Sequence, residues 1–210
     1  MKIVVTMAGE GSRFKDAGVD EEKYRLVVRD RTMFEWAMRS LSAFFDEEFV
    51  FVTRESHDAT PFLEAKCETL GIDRFEVVAL DRLTSGQATT AIEADPHVDD
   101  DDAAVVYNID TYVEEGHLTP ASLTDDGCIP VCEADGDSWS FVALDEDGTA
   151  VEVAEKEPIS TLASLGLYHF ARWGDFRTAF EAAGPRVDND CGEGYLAPMD
   201  NHMLDRALDV

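Results

Sequence analysis

Predicted strands and helices alternate through the first half of the chain, and this alternation narrows the possible folds more than any other feature. Apolar runs predict strands at 3–7, 49–53, 75–80 and 103–107. Apolar residues at helical spacing predict helices at 34–45, 59–70 and 86–94. Such alternation is typical of a mostly parallel sheet with helices on both faces. We therefore expect an α/β fold of the Rossmann-like type.

The second half has shorter apolar runs, separated by acidic or glycine-containing turns. Strand-like runs occupy 127–132, 139–144, 150–154 and 165–170. The segment 145–148, Asp-Glu-Asp-Gly, is a hairpin-turn signal. Helical spacing returns at 176–183 and 200–208. Because neither a repeat nor a linker interrupts the chain, we predict a single domain over residues 1–210 with a mixed, mostly parallel sheet.

Acidic residues greatly outnumber basic ones. The chain has 45 Asp and Glu against 17 Lys and Arg, a formal net charge of −28. Hydrophobic residues still make up 45%, which indicates a folded chain rather than a disordered acidic one. Acids spread over the whole length are typical of proteins from salt-loving organisms, in which salt screens the self-repulsion. This charge argues against nucleic acid and anionic membranes as partners.

The sequence predicts neither a membrane span nor a secretion signal. No apolar run approaches the roughly 20 residues needed to cross a bilayer, and the opening residues 1–6 indicate a buried strand. The four cysteines contain no C-x-x-C pair, and no histidines cluster near them, which favours free thiols over a zinc site. We therefore predict a cytoplasmic protein.

The clearest chemical signal is the segment 7–14, Met-Ala-Gly-Glu-Gly-Ser-Arg-Phe, directly after the first predicted strand. Glycines at such a place let the backbone turn sharply and point its N–H groups outward, which suits phosphate. Arg13 and Lys23 would add positive charge nearby. The segment lacks the third glycine of the dinucleotide-binding fingerprint and the Gly-Lys-Ser/Thr of a P-loop. Taken alone, it could equally be a tight turn.

Two further segments place polar residues where a ligand could bind. Residues 84–91 predict a helix start, with Ser85 as an N-cap. Asp110 follows the strand predicted at 103–107, at the edge where α/β sheets bind ligands, although it could also be a turn residue. The acidic run 99–102 is more typical of a solvated loop than of a metal site.

Lys156 is isolated among acidic residues. Between Arg82 and Arg172 it is the only lysine or arginine. Such a position suits an anionic ligand, and an ion pair with Glu155 or Glu157 is the alternative interpretation. The scattered histidines suggest no catalytic arrangement.

Taken in order, these segments resemble the signature of nucleotidyltransferases that act on sugar phosphates and related phosphates, most of all those of capsule and cell-surface polysaccharide pathways. The resemblance covers residues 1 to about 201. A departure is Glu22-Lys23, where the family usually has Pro-Lys. The segments that carry the resemblance are 7–14, Lys23, Gly86-Gln87-Ala88, Asp110, Glu155-Lys156, 165–170 and 192–201. It implies the nucleotidyltransferase fold, which GT-A-like glycosyltransferases share.

The resemblance also implies an activity and roles for individual residues. A nucleoside monophosphate would pass from a nucleoside triphosphate to a phosphorylated small-molecule acceptor, such as a sugar phosphate, with Mg²⁺ as cofactor and pyrophosphate released. Residues implied to hold the nucleotide are Ala8, Gly9, Gly11, Ser12, Arg13, Lys23, Gly86 and Gln87. Asp110 would hold Mg²⁺. Residues implied on the acceptor side are Glu155, Lys156, Gly166 and Glu193, with Gly166 leaving room for the acceptor. Candidates for a second metal ligand are Asp190, Glu193 and Asp200.

Two other functions stay open at this point. A GT-A-like glycosyltransferase would bind a nucleotide sugar through an Asp-x-Asp motif, of which Asn108-Ile109-Asp110 keeps only half. Arg13 and Lys23 suit a triphosphate better. A catalytically weak nucleotide-binding or regulatory protein is the third option, because longer relatives continue past the position of Val210 and often carry a second metal-binding Asp there. The sequence also leaves a homo-oligomer open.

Overall fold

The computed structural model describes residues 1–183 together with Leu196, Asn201 and Val210. Its strands are β1 (Lys2–Thr6), β2 (Val27–Val28), β3 (Arg31–Thr32), β4 (Glu48–Arg54), β5 (Phe75–Leu80), β6 (Ala104–Asn108), β7 (Gly127–Cys128), β8 (Val131–Glu133), β9 (Ser140–Leu144), β10 (Ala150–Glu155), β11 (Leu162–Ser164) and β12 (Leu167–Phe170). Its α-helices are α1 (Ser12–Asp16), α2 (Met33–Ser40), α3 (Thr60–Leu70), α4 (Gln87–Ala91) and α5 (Trp173–Ala183).

The main layer is a six-stranded sheet with the strand order β5-β4-β1-β6-β12-β7. Strands β5, β4, β1 and β6 pair in parallel, as the alternation of strands and helices predicts. Strands β12 and β7 complete the sheet in antiparallel pairings. The sheet is therefore mixed, with its parallel part formed by the first half of the chain.

Helices cover both faces of this sheet because alternate strand residues point to opposite sides. Ile3 and Val5 of β1 lie in one buried cluster with residues of α2 and α3. Val4, between them, lies in a second cluster with residues of α4 and α5. The predicted α/β fold with helices on both faces is confirmed. None of the helices formed by the described residues has the length and apolar character needed to span a membrane.

A second, smaller sheet is built from the middle of the chain. Its four antiparallel strands have the order β10-β9-β11-β8. The predicted hairpin turn joins β9 to β10, where Asp145 Oδ1 accepts hydrogen bonds from the N–H groups of Asp147 (2.9 Å) and Thr149 (3.0 Å). After β11 the chain passes directly into β12 of the main sheet. The second sheet thus leads back to the first sheet, between β6 and the edge strand β7.

Several boundaries differ from the sequence-based expectation. The strand expected at 127–132 is two strands, β7 and β8, separated by Ile129 and Pro130, because proline cannot donate a ladder hydrogen bond. The long helices expected at 34–45 and 86–94 shorten to α2 and α4, each followed by a 3₁₀ segment. Helix α1 and the β2–β3 hairpin were not predicted. The helix predicted at 200–208 lies outside the described residues apart from Asn201.

The acidic composition predicts that stability depends on salt. With a formal net charge of −28, the carboxylates of the folded protein repel one another, and this repulsion weakens as ions screen it. We expect the melting temperature to rise between about 0.1 M KCl, where the screening length is roughly 10 Å, and about 1 M, where it is roughly 3 Å. Differential scanning calorimetry over this range measures it. A flat or falling melting temperature contradicts the interpretation of a salt-adapted surface.

Candidate active site

A cavity of about 660 Å³ opens at the carboxyl ends of β1 and β6. The two strands pair in parallel with Thr6 opposite Asn108, so the segments that follow them leave the sheet side by side. This edge is where ligands bind in open α/β sheets. The lining residues come from four segments of the chain, namely 6–14, 22–24, 83–90 and 108–110. The cavity therefore gathers segments that are far apart in sequence.

The glycine-rich segment forms one wall of this cavity. Met7 and Ala8 are buried beneath it, whereas Gly9 and Ser12 are exposed. Gly11 has a φ of +62°, which an L side chain rarely adopts, and a Cβ there would lie 3.9 Å from Lys23 Cβ. Ala8, Gly9, Gly11 and Ser12, which the resemblance assigns to the nucleotide, all line the cavity. Arg13 belongs to α1, and its side chain lies outside what the structure describes.

An ion pair between Lys23 and Asp110 spans the cavity. Lys23 begins a short 3₁₀ turn, Asp110 follows β6, and Lys23 Nζ contacts Asp110 Oδ2. The two side chains are 30% and 39% exposed, so solvent and a charged ligand can reach them. Among the side chains described around the cavity, Lys23 is the only basic one. A fixed cation and a fixed anion therefore face the same space.

The turn that carries Asp110 is held from both sides. The buried Tyr107 hydroxyl donates to the Thr111 carbonyl at 2.9 Å, and the Val113 N–H donates to Ser40 Oγ at 2.9 Å. Burial raises the pKa of Tyr107 to about 12, which keeps its hydroxyl protonated as a donor. Sequence reasoning missed Tyr107, because in an apolar strand a tyrosine is indistinguishable from an ordinary core residue. The hydrogen bonds fix the direction in which Asp110 leaves β6.

Gly86 and Gln87 form the wall opposite the glycine-rich segment. The Gly86 N–H donates to Thr89 Oγ1 at 2.8 Å, and Thr90 Oγ1 donates to the Gly86 carbonyl at 2.7 Å. Helix α4 therefore begins at Gln87 after Gly86, and not after Ser85 as predicted. From this wall Gln87 Nε2 donates a hydrogen bond to Asn108 Oδ1.

Glu155 and Lys156 do not line the cavity but lie at one end of the second sheet. The Lys156 N–H donates to the Trp139 carbonyl at 2.9 Å, and Ser140 Oγ donates to Glu155. Strands β10 and β11 both pair with β9, and the ends of both lie beside the start of β9. Lys156 is exposed there. The short segment after β11 leads from this end to Gly166, next to Asn108.

Gly166 lies between the two sheets, and its surroundings differ from the prediction. The Asn108 N–H donates to the Gly166 carbonyl at 3.1 Å. A Cβ at Gly166 would lie 3.0 Å from Asn108 Cγ and 3.2 Å from Thr111 Oγ1. Asn108 and Thr111 thus lie where a side chain at residue 166 would point, contacts that the sequence did not predict, and a place for Gly166 on the acceptor side stays a prediction. Glu193, like Asp190 and Asp200, lies outside the described residues.

Three described carboxylates line the cavity, those of Glu10, Glu22 and Asp110, and Asp110 is the one that directly follows the central strand β6. The described residues contain no group of three His, Cys, Asp or Glu arranged to hold a metal ion. Mg²⁺ is commonly bound through one or two carboxylates together with substrate phosphates, rather than by a cage made only of protein. Asp110, exposed beside the glycine-rich wall, fits that mode of binding.

Several solved structures are similar to this chain. A nucleoside-diphosphate-sugar pyrophosphorylase from Vibrio cholerae RC9 is 36% identical, with a TM-score of 0.89, over 99% of this chain and 89% of that chain. An inositol-1-phosphate CTP transferase from T. maritima is 17% identical, with a TM-score of 0.78, over 100% of this chain and 83% of that one. A structure named for a glucose-1-phosphate thymidylyltransferase from Bacillus anthracis is 19% identical, with a TM-score of 0.78, over 99% of this chain and 84% of that one.

The similarities to the T. maritima and Bacillus anthracis proteins show the fold alone, and the similarity to the Vibrio cholerae protein also shows the family. No protein-family model matches the chain, and no curated protein does. The Vibrio cholerae protein nevertheless shares more than a third of its residues with this chain over nearly the whole length of both. The chain therefore belongs to the sugar-phosphate nucleotidyltransferases, the family of the nucleoside-diphosphate-sugar pyrophosphorylases.

Proposed function

We propose that this protein transfers a nucleoside monophosphate from a nucleoside triphosphate to a sugar phosphate and releases pyrophosphate. The observation that carries the proposal is the Lys23–Asp110 pair, which faces a cavity walled by the glycine-rich segment and by Gly86 and Gln87. A triphosphate requires a cation, and a metal ion that accompanies it requires a carboxylate. The family relationship supports the same activity.

The nucleotide would occupy the cavity with its phosphates along the glycine-rich segment. Backbone N–H groups from Ala8 to Ser12 would donate to phosphate oxygens, and Lys23 would move its charge from Asp110 to the phosphates. Arg13 would add a second positive charge. Gly86 and Gln87 would contact the base and sugar from the opposite wall. We expect the α-phosphorus to lie on the side of the cavity that contains Asp110.

The chemical step requires no general base, because an acceptor phosphate oxygen is already ionised near neutral pH. That oxygen would attack the α-phosphorus in line and form a new P–O bond. The bond between the α-phosphorus and the bridging oxygen breaks, and pyrophosphate leaves with the electron pair. The protein contributes mainly by positioning the two phosphates and neutralising their charge.

Asp110 is the residue proposed to hold Mg²⁺. When bound, the ion neutralises charge that develops on phosphate oxygens during the transfer. Lys23 neutralises the Asp110 carboxylate, and a triphosphate that draws Lys23 away would leave this carboxylate to the metal. Lys23 and Asp110 would thus change partners together when the nucleotide binds.

Lys156 is proposed to bind the phosphate of the acceptor, with Glu155 beside it. Lysine presents a compact point charge that suits a phosphate group. Lys156 lies at the end of the second sheet from which the chain returns to Gly166 and the main cavity. An acceptor that reaches from Lys156 towards Asp110 would therefore pass along the junction of the two sheets. Glu193 would belong to the same side.

Nucleotide binding is expected to raise the melting temperature, because a ligand that binds only the folded state stabilises it. At about 100 times the dissociation constant the gain is about 2.7 kcal/mol. The measurement is a thermal-shift series with ATP, CTP, GTP, UTP and dTTP, each with Mg²⁺, in KCl at molar concentration. The base that the enzyme uses should give the largest shift. Equal, negligible shifts with all five contradict a triphosphate site.

Release of pyrophosphate from the identified nucleotide and a panel of sugar phosphates tests the reaction itself. Turnover that requires both substrates and Mg²⁺ supports the proposal. Consumption of a nucleotide sugar without pyrophosphate would indicate a GT-A-like glycosyltransferase instead. Nucleotide binding without turnover of any acceptor would indicate a regulatory nucleotide-binding protein.

The proposal includes the setting of the enzyme. Residues 1–210 would act as one nucleotidyltransferase domain in the cytoplasm, on precursors of cell-surface polysaccharide. The resemblance of the motifs to enzymes of those pathways supports this assignment. Its partners would be the two small-molecule substrates, and the net charge of −28 argues against nucleic acid among them.

A further inference from the structure

Asn108 contacts two segments of the candidate active site and lies two residues before a third. Its Oδ1 accepts a hydrogen bond from Gln87 Nε2 in the nucleotide wall. Its N–H donates to the Gly166 carbonyl at 3.1 Å, in the segment that leads to the acceptor side. Two residues further along the chain is Asp110. Asn108 therefore joins the nucleotide, metal and acceptor segments.

The Asn108 side chain can take this position because Gly166 has no side chain. A Cβ at Gly166 would lie 3.0 Å from Asn108 Cγ and closer still to Nδ2, so the amide would have to move. Gly166 itself is buried with a φ of +73°. The close approach of Gly166 thus fixes where the Asn108 amide lies, and that amide in turn accepts the hydrogen bond from Gln87.

We propose that Asn108 is a positioning residue that fixes Gln87 and the Asp110 turn relative to Gly166, so that nucleotide and acceptor meet in one productive geometry. This inference rests on the proposed function. A displacement of about 1 Å at a reacting group can cost roughly 100-fold in rate. Because Asn108 acts through its neighbours, the expected loss is smaller, between about 5- and 30-fold.

Asn108→Ala tests the positioning role through the pattern of kinetic change. The kcat should fall by about 5- to 30-fold, and nucleotide affinity should fall less, because the glycine-rich segment and Lys23 are unchanged. Gly166→Ala should give a similar pattern by pushing the amide aside. A lower melting temperature with an unchanged kcat in Asn108→Ala would mean a structural role only, and would overturn the proposal.

Gly71→Ala is the matched control for the backbone strain in Gly166→Ala. Gly71 has a φ of +79°, close to the +73° of Gly166, but a Cβ there meets nothing within 4 Å. The Gly71→Ala variant should therefore have comparable backbone strain and a normal kcat. In an Asn108→Ala background, Gly166→Ala should cost no more kcat than Gly71→Ala does, because the displaced amide is gone. Fully additive effects of Asn108→Ala and Gly166→Ala contradict the proposed coupling.

An NMR measurement tests the same contacts without turnover. The side-chain amide signal of Gln87, assigned through Gln87→Ala, should shift in both Asn108→Ala and Gly166→Ala and stay in place in Gly71→Ala. A Gln87 signal that moves in neither variant overturns the positioning role. If the signals behave as expected but the wild-type protein turns over no substrate pair, the proposed function fails and the Gly166–Asn108–Gln87 contact is upheld.

Discussion

Replacing Asp110 with Asn is expected to lower turnover by at least about 100-fold and to leave the fold intact. Asn has nearly the same shape as Asp but lacks the negative charge that would hold Mg²⁺, and lost electrostatic stabilisation of this kind is commonly worth 100-fold or more. The Lys23–Asp110 ion pair is partly exposed, and such pairs contribute only about 0–1 kcal/mol to stability. The measurement is pyrophosphate release over a range of Mg²⁺ concentrations, beside a thermal melt.

Asp101→Asn is a suitable control for this variant. Asp101 precedes β6 at its opposite end, is exposed, and forms an ion pair with Arg172 at 2.7 Å. The substitution also removes a paired carboxylate, but far from the candidate site, so the rate should stay at the wild-type level. If Asp110→Asn keeps both the wild-type rate and its metal dependence, Asp110 is a turn residue and the metal lies elsewhere.

Replacing Lys156 with Ala is expected to weaken use of the acceptor far more than binding of the nucleotide. A charge-assisted hydrogen bond contributes about 1.5–3 kcal/mol, which corresponds to roughly 10- to 150-fold in kcat/KM for the acceptor. Lys23→Ala should show the reverse pattern, with nucleotide affinity reduced first, because Lys23 lines the cavity. Nucleotide titration by calorimetry, beside kinetics with varied acceptor, measures both quantities.

Lys66→Ala controls for the loss of a positive charge from an acidic protein. Lys66 lies on α3 and pairs with Glu35 at 2.9 Å, away from both substrates, and its removal should change neither quantity. If Lys156→Ala loses nucleotide affinity as strongly as Lys23→Ala, then Lys156 belongs to the triphosphate site. If Lys156→Ala resembles Lys66→Ala, it is a surface ion-pair residue and the acceptor binds elsewhere.

The position of the cavity could be predicted from the sequence where its lining residues directly follow a strand. Thr6 and Asn108 end neighbouring parallel strands, so Gly9 and Asp110 had to emerge at one edge of the sheet. Prediction was poorer for Tyr107 and Asn108. A tyrosine in an apolar strand is typical of a core, and Asn108 stood out only as the residue that takes the place of the first Asp of an Asp-x-Asp motif. Their roles depend on partners at Thr111, Gln87 and Gly166, which no local pattern reveals.

The sequence by itself determined the α/β architecture and the cavity edge, because apolar periodicity and glycine conformations act within a few residues. Only the tertiary structure decided which distant groups meet. Lys23 and Asp110 are 87 residues apart and form a pair, and the Asn108 side chain lies where a Cβ at residue 166 would point. The antiparallel addition of β12 beside β6 made that contact. Such contacts arise from strand register and side-chain packing, which depend on the whole chain at once.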